Sequence, residues 1–198
     1  NSEELIIGGL EKLGLDPADI KYVIISHAHG DHIGGAQILQ ERYGAQVVMG
    51  AADWDLVETY PNRYTGMAPS RDVVASDGMQ LLLGDTIVSL WETPGHTPGT
   101  LSYTFTVFDN GMPVSVAYSG GTAFNFVNNT PDPGIENFQI YIDAQQHIAQ
   151  QAEVANASVI LSNHSEFDNA VNRNRMLAGR GDGPHPYDVG EESVQRYF

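Results

Sequence analysis

The first third of the chain alternates short apolar runs with segments of helical spacing. Apolar residues at 22–26 and 46–49 predict two strands, and the patterns at 2–13, 35–43 and 51–60 predict helices around them. This alternation is typical of a sheet that is covered by helices.

The middle of the chain changes to strands that are joined by tight turns. After a predicted loop at 61–76, rich in Pro, Gly, Asn and Ser, two pairs of apolar segments flank a Gly-Asp and an Asn-Gly turn. The predicted strands are residues 79–83, 86–91, 100–108 and 113–118. This part of the chain therefore predicts a second sheet built from hairpins.

The last third of the chain predicts a long helix and one further strand. Residues 134–155 carry apolar side chains near helical spacing, and residues 158–161 form a brief apolar run. Because strands and helices alternate in both halves, we predict an α+β fold in which two sheet-based layers are covered by helices.

Composition narrows the possible partners. A formal net charge of −16, from 9 basic and 25 acidic residues, opposes binding to nucleic acids, and no apolar run approaches the roughly 20 residues of a membrane helix. The length predicts one domain over residues 1–198. The acidic start lacks the cationic segment of a signal peptide, so we expect that a signal was either removed or never present. Compartment and oligomeric state stay open.

The largest cluster of candidate metal ligands lies directly after the first predicted strand. Between His27 and His32 the chain carries three imidazoles and the carboxylate of Asp31, followed by two glycines. Imidazole and carboxylate are ligands that suit zinc, and the chain has no cysteine to supply a thiolate. His27 and His29 can approach one ion, while Asp31 and His32 can face a second. The alternative is a polar loop with exposed histidines.

Two later stretches supply further candidate ligands. His96 lies in the rigid turn Thr93-Pro-Gly-His-Thr-Pro-Gly99, and His164 follows the last predicted strand. Taken alone, each of these histidines has a structural explanation as good as or better than a metal-binding one. Together with the first stretch they predict two ligand groups. His27, His29 and His96 would hold one ion, and Asp31, His32 and His164 the other, each with the open position of catalytic zinc.

These stretches resemble the metallo-β-lactamase superfamily, whose signature His-x-His-x-Asp-His corresponds to His27–His32. The Pro-Gly-His-Thr-Pro-Gly turn, His164 and the tail at 185–197 extend the resemblance, most closely to the third subclass of metallo-β-lactamases. The resemblance implies an αββα sandwich of two mixed sheets, two zinc ions per chain and a small-molecule substrate.

The sequence departs from the superfamily in two places. Gly121 stands where many related hydrolases have an aspartate that bridges both metals, which favours the β-lactamase-like ligand set. The serines that often hold substrate in that subclass are absent here, so Ser119, Thr122 and the adjoining Phe124 become the expected substrate contacts. The strands that normally open the domain are also missing, and we expect an N-terminally incomplete domain with an exposed sheet edge.

The implied chemistry is metal-assisted hydrolysis of an amide or ester ring. A hydroxide bridging two zinc ions would attack a carbonyl that is held against the first ion, and Asp31 would orient this nucleophile. A β-lactam-like substrate is the first expectation. The alternatives are a lactone, ester or thioester hydrolase on the same scaffold, and a metal-binding protein without turnover. Iron in place of zinc would favour redox chemistry.

Other histidines and aromatic residues have simpler explanations. His147 is expected to pack within the long helix or lie on its surface, and His185 to lie in a loop between two prolines. Trp54, Tyr60 and Tyr64 could line a cleft, but aromatic residues are more often part of the core. Phe126 has a better claim to the pocket because it adjoins the turn at Gly121.

Overall fold

The computed structural model describes residues 2–123 and 134–198, so Phe124 and Phe126 lie outside the described residues. In that part of the chain the strands are β1 (Tyr22–Ile24), β2 (Gln46–Gly50), β3 (Val73–Ala75), β4 (Gln80–Leu83), β5 (Thr86–Glu92), β6 (Leu101–Asp109), β7 (Met112–Ser119) and β8 (Val159–Ser162). The α-helices are α1 (Ser2–Lys12), α2 (Gly30–Ile33), α3 (Ala36–Tyr43), α4 (Ala51–Thr59), α5 (Gly134–Val154), α6 (Ala170–Ala178) and α7 (Glu191–Tyr197).

The first sheet has the order β1-β2-β3, and both strand pairs are parallel. Its third strand overturns the prediction of one continuous loop at 61–76. A short 3₁₀ helix forms at Pro61–Tyr64, and β3 pairs with the second half of β2. The β-branched pair Val73 and Val74 favours a strand, but three residues are too few to stand out from the Pro- and Gly-rich sequence before them.

The second sheet has the order β4-β5-β6-β7-β8. Both predicted hairpins are confirmed, and the second one turns through Asn110 (φ 49°) and Gly111 (φ 82°), the left-handed pair that a type I′ turn requires. Strand β8 then joins β7 in parallel, after the long helix α5 has crossed back over the sheet.

Three apolar clusters show how the layers stack. Alternate residues of β2 point to opposite faces of the first sheet, so Val47 packs beneath α4 while Val48 packs against the second sheet. On the far face of the second sheet, Ile160 of β8 packs with Ala152 of α5 and Val194 of α7. The order of layers is helices, sheet, sheet, helices, which confirms the predicted αββα sandwich.

The described residues leave part of the inner face of the second sheet uncovered. The first sheet has three strands in the described part of the chain and the second has five, so the apolar side chains at the β6–β8 end lie beyond the edge of the first sheet. They line a groove of about 240 Å³, called the β6–β8 groove below. Its apolar lining comprises Phe105, Val107, Phe108, Val114, Val116, Val159 and Leu161.

Three helices differ from the sequence-based expectation. The residues after His29 form the one-turn helix α2 rather than a bend, and the tail contains α6 and α7, which no apolar pattern predicted. None of the helices in the described ranges combines the length and the apolar character that a membrane crossing needs.

Candidate metal centre

The end of β1 delivers the first candidate ligands to the edge where the parallel strands of the first sheet end. The chain continues from β1 through buried Ile25 and Ser26 to His27, and His29 precedes the first turn of α2. Ile25 donates its N–H to the Val48 carbonyl (2.9 Å), which continues the parallel ladder and fixes where the loop begins. The carboxyl ends of parallel strands are a common place for functional side chains.

The first ligand group comprises His27, His29 and His96. One nitrogen of each ring lies within 4.8 Å of the others, so the three side chains could together coordinate one metal ion. The ring centroids of His27 and His96 are 4.4 Å apart, and those of His29 and His96 are 4.9 Å apart. The structure therefore brings together the three histidines that the sequence grouped.

The second ligand group comprises Asp31, His32 and His164, again with one ligand atom of each within 4.8 Å of the others. Asp31 Oδ2 lies 3.3 Å from His32 Nε2 and 3.6 Å from His164 Nε2. The two groups adjoin, since the rings of His27 and His32 are 4.1 Å apart. The second group is the more open one, with 62% of the Asp31 side chain exposed.

Backbone carbonyls orient two of the rings. His27 Nδ1 donates to the Gly120 carbonyl and His96 Nδ1 to that of Ala123, both at 2.9 Å. Because a carbonyl only accepts, each Nδ1 carries the proton and each Nε2 keeps its lone pair for a cation. His27 Nε2 is buried and has no hydrogen-bond partner among the described residues. A buried nitrogen of this kind fits a metal site, as does the all-nitrogen donor set around it.

Three histidines of the centre, His27, His32 and His96, have a lowered pKa, which favours the neutral form that binds a metal. Burial, reinforced by the neighbouring imidazoles, lowers the pKa of His27 to about 2. Burial also lowers the pKa of His96, and it lowers that of His32 although the carboxylate of Asp31 opposes the shift. These three rings can therefore bind a metal ion at neutral pH without losing a proton.

Gly121 lies directly against the first ligand group. A Cβ atom at this position would stand 2.5 Å from the Cβ of His96 and 2.8 Å from Cγ2 of Thr100, closer than real carbon atoms approach. The placement of His96 and Thr100 therefore leaves no room for a side chain at position 121.

The expected substrate contacts lie beside the second ligand group. Ser119 is buried, and its hydroxyl lies 3.4 Å from that of the half-buried Thr122. The Thr122 hydroxyl also lies 3.0 Å from Ser162 Oγ and donates to Asn163 Oδ1 at 3.1 Å. Substrate binding by Ser119 and Thr122 stays a prediction, and Phe124 lies outside the described residues.

The remaining histidines belong to other surroundings. His147 lies on the surface of α5, where its Nε2 is 2.9 Å from Asp77 Oδ1. His185 lines the β6–β8 groove. Of the aromatic residues, Trp54 is fully buried in the core and Tyr60 is exposed. The placements of His147, His185 and Trp54 agree with the simpler explanations, whereas the exposed Tyr60 does not belong to the core.

Asp53, near the centre, escaped the sequence-based prediction and is fully buried within α4. Tyr64, which the sequence placed in a cleft or in the core, is buried in the core cluster and donates its hydroxyl to the carbonyl of Ala28 at 2.7 Å. The sequence did offer one signal for Asp53. This acidic residue lies on the apolar face of a predicted helix, one position before Trp54 and four before Val57.

Comparison with known proteins relates this chain to one family. A family model described as the metallo-beta-lactamase superfamily matches residues 1–107. A hydroxyacylglutathione hydrolase of Rhodopseudomonas palustris (strain BisA53) is 32% identical over 120 residues, which are 61% of this chain and 39% of that protein. An N-acyl homoserine lactonase of Bacillus sp is 29% identical over 142 residues, which are 68% of this chain and 52% of that protein.

A solved structure extends the comparison over the whole fold. BJP-1, a subclass B3 metallo-beta-lactamase of Bradyrhizobium japonicum, has a TM-score of 0.78 and 28% identity, covering 99% of this chain and 75% of that chain. The chain spans about two fifths to one half of the length of the two curated relatives above. The predicted resemblance to the superfamily and its third subclass is confirmed. Because the family model covers residues 1–107 of 198, the chain belongs to the metallo-beta-lactamase superfamily.

Proposed function

We propose that this chain is a zinc-dependent hydrolase with two adjacent metal sites, and that it opens a cyclic amide of the β-lactam kind. The observation that carries the proposal is the pair of adjoining ligand groups, one buried and one open to solvent. Three protein ligands for each ion leave a position for water or substrate, which is the arrangement of catalytic rather than structural zinc.

Each residue has a distinct part in this proposal. Bound zinc ions lower the pKa of water and polarise a substrate carbonyl. His27, His29 and His96 hold the first ion, and Asp31, His32 and His164 hold the second. Asp31 is the exposed carboxylate of the centre, and beside holding the second ion it would orient the attacking water. The carbonyls of Gly120 and Ala123 accept from Nδ1 of His27 and His96, which would leave Nε2 of both rings free to hold the ion.

Glycine at position 121 supports the β-lactam assignment over the alternatives. A side chain there would collide with His96, so the bridging aspartate of many related hydrolases has no place in this centre. Thr122 is the expected substrate contact that is only half-buried, and we propose that its hydroxyl binds the substrate at the rim of the second ligand group.

A lactone or thioester hydrolase is the second candidate. The curated relatives named above are a hydroxyacylglutathione hydrolase and an N-acyl homoserine lactonase, and the latter aligns with 68% of this chain. An acylglutathione is a thioester and a homoserine lactone is a cyclic ester, so the same attack on a carbonyl would serve both.

Parallel assays test the proposal. The zinc-loaded chain is given a chromogenic cephalosporin, an N-acyl homoserine lactone and an acylglutathione, and zinc content is measured in the same sample. We expect cephalosporin hydrolysis and about two zinc ions per chain. His29→Ala should lower both rate and zinc content, whereas His147→Ala, outside the centre, should change neither. Hydrolysis of the lactone or the thioester alone would favour the second candidate. Zinc binding without any hydrolysis would contradict both.

A further inference from the structure

The carboxylate of Asp53 joins the two loops that carry the first ligand group. Its Oδ2 accepts the N–H of Ala28 at 2.6 Å and the hydroxyl of Thr97 at 2.7 Å, and its Oδ1 accepts the N–H of Gly99 at 2.8 Å. Ala28 lies between His27 and His29, and Thr97 follows His96. One side chain therefore contacts both segments from which the three histidines project.

Close backbone packing allows this contact. A Cβ on Gly99 would lie 2.5 Å from the backbone nitrogen of Asp53, and one on Gly50 would lie 2.2 Å from the Gly99 carbonyl oxygen. The start of α4 thus meets the His96 turn with no room for a side chain at either glycine. Asp53 itself is completely buried, so water cannot replace its hydrogen bonds.

We propose that Asp53 is a positioning residue that fixes the distance between the loop of His27 and His29 and the turn of His96. The inference rests on the proposed metal centre and adds to it a residue that touches neither metal nor substrate. Its three partners all donate, which only a carboxylate can satisfy with both oxygens. Residues that orient metal ligands from outside the coordination sphere typically contribute about tenfold to hundredfold in metal affinity.

Asparagine in this position would break the arrangement in a defined way. The amide keeps one accepting oxygen, but its NH₂ group faces either the N–H of Gly99 or the N–H of Ala28, so two donors oppose each other. One of the two loops must then move away from α4. The separation of His96 from His27 and His29 changes, while the ligands themselves remain.

The experiment compares zinc affinity with folding stability. Zinc dissociation constants of the full chain are measured by competition with a chromophoric chelator, and the visible spectrum is recorded with one equivalent of cobalt(II), whose bands report ligand geometry. Asp53→Asn should weaken zinc binding by about tenfold to hundredfold and alter the cobalt spectrum. Asp72→Asn is the matched control, because its carboxylate accepts one backbone N–H, that of Val47 at 3.1 Å. It should leave affinity and spectrum unchanged.

Further outcomes decide the inference. Urea unfolding of the metal-free proteins shows how much each variant loses in stability alone. If Asp53→Asn does not fold, Thr97→Val tests the same contact by removing one donor at constant shape, with an expected loss of about threefold to tenfold in affinity. A folded Asp53→Asn or Thr97→Val protein with the zinc affinity and cobalt spectrum of the parent chain would overturn the inference. Failure of the parent chain to bind zinc would instead overturn the proposed function on which it rests.

Discussion

At the scale of single residues, His27 links the centre to the stability of the metal-free protein. Its pKa falls from 6.5 to about 2 on folding because the ring is buried among other imidazoles. Between these values the unfolded chain binds a proton at His27 and the folded chain does not. The free energy of unfolding should therefore be highest above pH 6.5 and decrease as the pH falls, by up to about 1.4 kcal/mol per pH unit for this group.

Urea unfolding of the chelator-treated protein at pH 7, 6 and 5 measures this dependence. The pKa values of His32 and His96 are also lowered, so their contributions have the same sign. A His27→Asn variant is the control, since it removes one titrating group and should show a shallower decrease. Stability that stays constant from pH 7 to pH 5 would contradict the burial of neutral histidines.

The grouping of the six candidate ligands could be predicted from the sequence because four of them lie within six positions of the chain. Three imidazoles and a carboxylate after one strand leave few alternatives, and the rigid turn at His96 restricts where that ring can point. Asp53 could not be predicted in this way, since its role depends on contacts with residues 25 and more positions away. The position of Gly121 was noticed, but the reason for a glycine there is a contact with His96 that only the folded chain contains.

At the scale of secondary-structure elements, Asp168 connects β8 to α6 across the loop of His164. Its Oδ2 accepts the Ser162 N–H and its Oδ1 accepts the Ala170 N–H, both at 2.9 Å, and its side chain is buried. Asp168→Asn can keep only one of the two bonds, because the amide nitrogen opposes the other N–H. We expect the loop to loosen and the zinc content to fall from about two ions per chain towards one.

Metal analysis after dialysis against a weak chelator measures this loss. Asp143→Asn on α5 is the matched control, since the carboxylate of Asp143 is exposed and accepts one bond from Gln139 within its own helix. It should retain both ions. Equal zinc content in the Asp168→Asn variant and the parent chain would show that the loop is held by other contacts.

The elements that could be predicted are those with a clear period and a clear end. The hairpins follow from alternating apolar residues around Asn-Gly, and α5 from its length. Helix α6 escaped because none of its residues is buried, so its sequence has no apolar face to show. Strand β3 escaped because its three residues owe their conformation to pairing with β2.

At the scale of the whole molecule, the β6–β8 groove leaves apolar side chains in contact with water. Contiguous apolar surface of this kind binds hydrophobic dyes and promotes association between copies. We expect the 198-residue chain to bind such a dye and to associate as its concentration rises. Val107→Lys places a charge in the groove and should reduce both effects.

Dye fluorescence and sedimentation velocity measure the two effects. Val74→Lys on β3 is the matched control, because Val74 is 41% exposed and Val107 is 42% exposed, but Val74 lies outside the groove. The control should behave as the parent chain does. Equal dye binding by the parent chain, Val107→Lys and Val74→Lys would show that the dye binds outside the groove.

The unequal burial of the two ligand groups affects how the chain would lose its metal ions when zinc is scarce. His27 is sealed inside the protein with its ring already aimed, whereas Asp31 and His164 keep 62% and 40% of their side chains in solvent. An ion in the deep position should therefore be the last to leave. Under the proposed function, many molecules would then carry one ion when zinc is scarce, and activity would follow the metal supply even when the amount of protein stays the same.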